Sequence, residues 1–137
     1  MQMEIQFTSS AIIVPRLTLP TREIGACVEF HGVVRELEKG QPLAGLHYEA
    51  YEPMARLQLT RIFTQLATQH ACAAVTLIHR LGWVPVGETS LYIAVLSAHR
   101  GEALRFLAEA IDRLKTDVPI WKRTERESGE MQPLPQV

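Results

Sequence analysis

Two stretches of the chain repeat their apolar residues at helical spacing. In residues 53–69, Ala55, Leu59, Ile62, Phe63 and Leu66 fall on one stripe, and Pro53 suits the first turn of a helix. From about Arg100, Ala103, Leu107, Ala110, Ile111 and Leu114 form a second stripe. This helix must end before Pro119, which lacks an amide proton and whose ring collides with the preceding turn. Val118, just before the proline, is pushed toward extended geometry.

Elsewhere the period is two, or the run is continuously apolar. In "GACVEFHGVVR" (25–35), Ala26, Val28 and Phe30 alternate with Cys27, Glu29 and His31, as in a half-buried strand. "LAGLHYEAY" predicts a strand with Leu46, Tyr48 and Ala50 on one face. "AAVTLIHRLG" (73–82) reads as a strand, "VPVGE" as a turn, and "TSLYIAVLSA" (89–98) as a central strand because both of its faces are apolar. A short strand is predicted near Glu4 to Phe7. "ELEKGQP" (36–42) reads as an exposed loop or hairpin tip. Residues 8–24 carry Pro15 and Pro20 and read as irregular, with room for a short helix. The tail of about 127–137 is expected to be flexible. The whole predicts one α+β domain over residues 1–137, with two helices packed on a largely antiparallel sheet.

The 137 residues suit one sizeable core. A formal net charge of −1 gives no global basic field for nucleic acid, so any anion site must be local. Cys27 and Cys72 lie far apart with no CxxC, which fits a reduced, intracellular protein. The N-terminus lacks the pattern of a signal peptide, and no apolar run approaches the roughly 18 residues of a membrane span. A cytoplasmic protein is the expectation.

The candidate chemistry lies at element ends. Lys115 and Lys122 are seven residues apart, on either side of Pro119. In an unbroken helix they would lie about 10 Å apart on one face. A turn near 117–119 would fold Lys122 back toward Lys115. Two convergent ammonium groups lower at least one pKa and cradle an anion. The competing reading is two solvated lysines, with Lys115 complementing the helix C-terminus, and on spacing alone that reading is the commoner arrangement. Arg35 ends the first long strand. His99 and Arg100 stand where free helix amides would add to an anion site, or form an ordinary surface turn. His70, Cys72 and His79 match no zinc spacing, so no metal is expected, and no cofactor motif is present. Trp83 and Trp121 read as packing anchors, though Trp121 could wall a pocket for a flat heterocycle.

Five blocks together change this picture. "GACVEFHGVVR", "LHYEAYEPMA", "IHRLG", "SAHRGEA" and "DRLKTDVPIWKR" resemble, in order, the signature blocks of the large, catalytic subunit of molybdopterin synthase. They span about residues 25–123. The resemblance implies an α/β-hammerhead fold and a homodimer. Each protomer would bind one small ubiquitin-like sulfur-carrier subunit with a Gly-Gly C-terminus, giving a heterotetramer. The carrier's thiocarboxylate tail would thread into a pocket and give its sulfur to cyclic pyranopterin monophosphate. That makes the implied activity a sulfurtransferase, with no cofactor of its own. The family's site residues map onto Val33, Val34, Arg35, His99, Arg100, Lys115, Lys122, Arg123 and Thr124. By this resemblance Lys115 would be the main catalytic group, Lys122 and Arg35 would hold the tail and stabilise the oxyanion, and His99 and Arg100 would hold the phosphate or pterin, with room to reach across the dimer. The family usually continues "WK(K/R)E", a glycine and then a tryptophan. Here Thr124 precedes Glu125, and Gln132 stands near the tryptophan position. Alternatives are a non-catalytic module that binds a ubiquitin-like tail, or a small anion- or nucleotide-binding regulatory protein.

Overall fold

A computed structural model describes residues 1–126 and 131–133, with the side chains of Glu38 and of residues from Glu125 onward left aside. Two sheets and two helices follow in the order β1 (Gln2–Thr8), β2 (Ala26–Val33), β3 (Leu37–Glu38), β4 (Gln41–Ala50), α1 (Glu52–Ala67), β5 (Ala74–Arg80), β6 (Gly82–Pro85), β7 (Thr89–Ser97), α2 (Arg100–Asp117), β8 (Ile120–Arg126) and β9 (Met131–Pro133).

The first sheet runs β1-β5-β7-β2. β7 is central, and its neighbours β5 and β2 are both antiparallel to it. β1 joins β5 in parallel, the one departure from an antiparallel sheet among the described strands. Both helices pack on one face of this sheet. The stripe Ala55, Leu59, Ile62, Phe63 and Leu66 of α1 is buried as its period requires. In α2 the buried set is Ala103, Phe106, Leu107, Ala110 and Leu114, while Ile111 is half-buried against it. Phe63 and Phe106 meet between the helices with ring centroids 5.9 Å apart. They close on Val75, Leu77, Ile93 and Val95 of the sheet in one continuous core. On the sheet's other face, Ile12 and Leu17 pack over Ile78, Tyr92 and Ala94. These two residues come from a segment, 9–25, that forms no helix, so the short helix allowed for 8–24 is absent.

The second sheet runs β3-β4-β8-β9, with β6 also paired to β4. The expected hairpin tip is a real hairpin: β3 and β4 pair across Lys39 and Gly40, both at positive φ. The stretch read as the turn "VPVGE" needs correction. Val84 and Pro85 belong to β6, opposite Leu46 and Gly45 of β4, and the turn comes later, at Gly87 with φ of 87°. The strand predicted over 73–82 is β5, which ends at Arg80; after Leu81, Gly82 already opens β6. Gly45 lets β4 and β6 approach closely. A Cβ there would lie 2.5 Å from the Trp83 ring and 2.5 Å from the Val84 carbonyl oxygen.

The helix break behaves as its residues demand. Val118 adopts φ −98° and ψ 132°, and its N–H still donates to the Leu114 carbonyl at 3.4 Å. The Pro119 carbonyl accepts from the Tyr51 N–H at 3.2 Å, which ties the break to the end of β4. The chain then enters β8 directly. The flexibility expected of 127–137 falls outside the described residues, except that Met131–Pro133 pair with β8 as β9. Among the described residues no helix is long and apolar enough to cross a membrane.

Candidate functional site

A cavity of about 440 Å³ opens between the end of β2, the β4–β8 ladder and the C-terminal end of α2. Each wall follows from a local feature already described. β2 ends at a register irregularity between Gly32 and Val33, and the chain leaves the sheet through Val34 and Arg35. The Val34 N–H donates to the Glu88 carbonyl at 3.0 Å, and its own carbonyl accepts from Gly87 at 2.9 Å. Val34 is thereby fixed and buried, with Leu43, Leu46 and Val84 around it. Val33 and Arg35 on either side stay exposed. From β4, Leu46 and Tyr48 contribute; from α2, Leu114 and Lys115; from β8, Ile120, Trp121 and Lys122.

The structure therefore gathers Val33, Val34, Arg35, Lys115 and Lys122 around one opening. Lys115 lies in the last turn of α2 and Lys122 opposite Tyr48 in the β4–β8 register. Arg35 comes from a segment some eighty residues earlier. Three cations thus converge, while no Asp or Glu is among the described lining residues. A cavity of one sign with low-dielectric walls concentrates anions even on a molecule of near-zero net charge. Trp121 also lines the cavity, 44% exposed, so it serves as a wall rather than as a core anchor.

Four of the predicted residues lie elsewhere. His99 is the N-cap of α2 and Arg100 its first residue, both exposed, and neither lines the cavity. Fifteen residues of helix separate Arg100 from Lys115, about 22 Å of rise. His99 makes no side-chain capping bond; its carbonyl accepts from the Ser97 hydroxyl at 2.5 Å. Arg123 is not among the lining residues and pairs with Glu49 at 3.0 Å. Thr124 is buried opposite Leu46.

The lining also holds residues that sequence reasoning missed as site residues: Phe30, His31, Tyr48, His79 and Ser90. His79 is only 3% exposed. Its Nδ1 lies 2.8 Å from the Arg80 carbonyl, and its ring meets Tyr48 edge-on at 5.1 Å. Burial lowers its pKa to about 4, against a smaller opposing effect of the bond to Arg80. The Ser90 hydroxyl donates to the Gly32 carbonyl at 3.3 Å. His31 stands edge-on to Tyr92 at 5.1 Å, and the Tyr92 hydroxyl donates to Glu29 at 2.9 Å. Burial, and then that bond, raises the Tyr92 pKa. The alternation of β2 marked His31 as a strand residue, and His79 was weighed only as a metal ligand and rejected on spacing.

Among the described residues no cluster of three or more His, Cys, Asp or Glu could hold a metal. Cys72 is half-buried, with its pKa raised to about 11 by burial and then by Glu102. Cys27 is exposed on β2, its pKa raised by partial burial and then by Glu29.

Comparison with known proteins follows the same geometry. The model of the MoaE protein family matches residues 5–117. The molybdopterin synthase catalytic subunit of Pyricularia oryzae is 43% identical over 108 residues, which cover 79% of this chain and 59% of that protein. The corresponding Bacillus subtilis subunit is 42% identical over 109 residues, covering 80% of this chain and 69% of that one. This chain spans only 55% to 59% of the length of several of its curated relatives. Among solved structures, molybdopterin synthase from Staphylococcus aureus superposes with a TM-score of 0.78 at 36% identity, covering 83% of this chain and 82% of that one. A Helicobacter pylori complex of subunits 1 and 2 of molybdopterin-converting factor contains a chain with the same fold, at a TM-score of 0.71 and 21% identity, covering 98% of this chain and 90% of that one.

Proposed function

Because the chain belongs to the MoaE protein family, we propose that it is the catalytic subunit of a molybdopterin synthase. In this reading it is a sulfurtransferase. It moves sulfur from the thiocarboxylated Gly-Gly terminus of a small ubiquitin-like carrier to cyclic pyranopterin monophosphate. One observation carries the reading: Arg35, Lys115 and Lys122 meet at one cavity whose described lining has no carboxylate. Both reactants are anions, one a thiocarboxylate and the other a phosphate ester. A local cationic cavity attracts them without the basic surface that would also attract nucleic acid.

The roles follow from position. Lys115, exposed in the last turn of α2 and lining the cavity, serves as proton shuttle or transient acyl acceptor for the tail carbonyl. Lys122 and Arg35 hold the tail and stabilise the oxyanion that forms on its carbonyl oxygen when a nucleophile adds to that carbon, before collapse re-forms C=O and breaks the C–S bond. Trp121 offers an aromatic wall to the flat pterin. Arg123 and Thr124 follow Lys122 on β8 and act through the strand, Arg123 by its pair with Glu49 and Thr124 by burial. His99 and Arg100, about 22 Å along α2 from Lys115, serve the phosphate only from a neighbouring copy, so the reading includes a homodimer within a heterotetramer. The protein works as one domain, in the cytoplasm, without a resident cofactor.

The deciding experiment is conversion of the purified pterin precursor by the purified chain with a thiocarboxylated carrier. Formation of the dithiolene product supports the reading. Carrier binding without turnover would favour a non-catalytic module that captures a ubiquitin-like tail. Binding of neither reactant would overturn both.

A further inference from the structure

His79 is a buried titratable group for which the proposed sulfur transfer has no role, yet it is among the residues that line the cavity. A carbonyl oxygen only accepts, so the 2.8 Å contact with Arg80 requires that Nδ1 carry the proton. This fixes the tautomer and leaves Nε2 as a bare acceptor. A pKa near 4 keeps the ring in that neutral state at physiological pH. The edge-on contact with Tyr48 restrains its tilt. Two neighbouring carbonyls each already accept one bond, Gly32 from the Ser90 hydroxyl and Val34 from the Gly87 N–H.

Among the described residues, the cavity's lysines and arginine, Arg35, Lys115 and Lys122, are all donors. They suit phosphate and carboxylate oxygens, but offer nothing to the N–H edge of a heterocycle. A buried donor left without an acceptor is costly, so a pocket that encloses such a ring needs an acceptor of its own. We infer that His79 Nε2 accepts a hydrogen bond from an N–H group of the bound heterocycle, making His79 a specificity-determining residue for the ring rather than for its phosphate. The inference rests on the reading of the cavity as a pterin site.

The test uses the intact chain labelled with 15N in histidine, with cyclic pyranopterin monophosphate as the probe. Binding to the unaltered protein is measured first, by calorimetry. Absence of binding overturns the pterin-site reading and this inference together. If the probe binds, the unprotonated Nε2 resonance of His79 moves upfield as it accepts a hydrogen bond; an unmoved resonance at saturation overturns the inference and leaves the site reading standing. A second arm compares variants. His79→Leu weakens probe affinity roughly ten-fold, as expected for one enclosed donor left unsatisfied, and leaves carrier affinity unchanged. His79→Gln, which retains an acceptor oxygen, recovers part of the loss. Equal loss for probe and carrier in a folded His79→Leu protein would mark a structural role and count against the inference.

Discussion

Lys115 and Lys122 stand on opposite sides of Pro119 and line the same cavity. The proline stops α2 after Asp117, Val118 turns extended, and β8 begins at Ile120. The backbone reversal is held by the Tyr51 N–H on the Pro119 carbonyl. Two like charges are thus brought to one opening by a break in a helix, rather than by the face of a continuous one.

If Lys115 acts on the tail carbonyl, removing its amine removes chemistry and spares binding. Lys115→Ala should lower turnover at least about a hundred-fold, the scale of a lost proton-transfer or nucleophilic group. Carrier and pterin should still bind, because Arg35 and Lys122 remain. Single-turnover assay alongside calorimetry checks this, and full activity would strip Lys115 of its role.

The position of His99 and Arg100 yields a complementation test. About 22 Å of helix separates Arg100 from Lys115, so the two cannot serve one substrate phosphate within one protomer. If they act across a dimer, Lys115→Ala and Arg100→Ala are each inactive alone. Mixing and re-equilibrating the two proteins should then create one intact site in each mixed dimer and restore up to about a quarter of normal activity. No recovery despite demonstrated subunit exchange would place Arg100 outside the site.

The parts that were legible in the sequence are those set by local rules. The α1 stripe is period alone, and the helix end at Pro119 is a steric prohibition. The central place of β7 follows from its two apolar faces. β6 was hidden because four residues holding a glycine and a proline carry no readable period; its existence depends on pairing with β4, far away in sequence. The cavity floor was hidden for the same reason. His79 and Tyr48 meet only through the register of two different sheets, and nothing local in "IHR" distinguishes a floor residue from a strand end. The lysine pair was visible because its gathering is local, while the distance of His99 and Arg100 from it follows from the length of α2.

Gly45 tests the β4–β6 contact that backs the cavity. An added Cβ meets both a ring atom of Trp83 and the Val84 backbone oxygen at 2.5 Å, and the latter cannot rotate aside. Gly45→Ala should cost about 2 kcal/mol, the scale of overpacking, and lower Tm by roughly 5 °C. Gly40→Ala is the contrast, since nothing lies within 4 Å of a Cβ there and only its positive φ penalises the change. Its effect should be about half as large. Thermal denaturation of both variants, side by side, settles the comparison.

His79 gives a stability that depends on pH, with a definite sign. Burial lowers its folded pKa from 6.5 to about 4. Above pH 6.5 the ring is neutral in both the folded and unfolded chains, and it exerts no pH-dependent effect. Between pH 6.5 and 4 the unfolded chain binds the proton while the folded one does not, so stability falls as pH falls. Below pH 4 both forms are protonated and the effect has run its course. The shift corresponds to about 3 kcal/mol in total. In His79→Gln the loss of stability across this window should shrink by that order, as read from urea midpoints at pH 7, 5.5 and 4.5. An unchanged slope in the variant would mean that the folded ring is already open to protons, and that the closed, neutral histidine on the cavity floor is not the state found in solution.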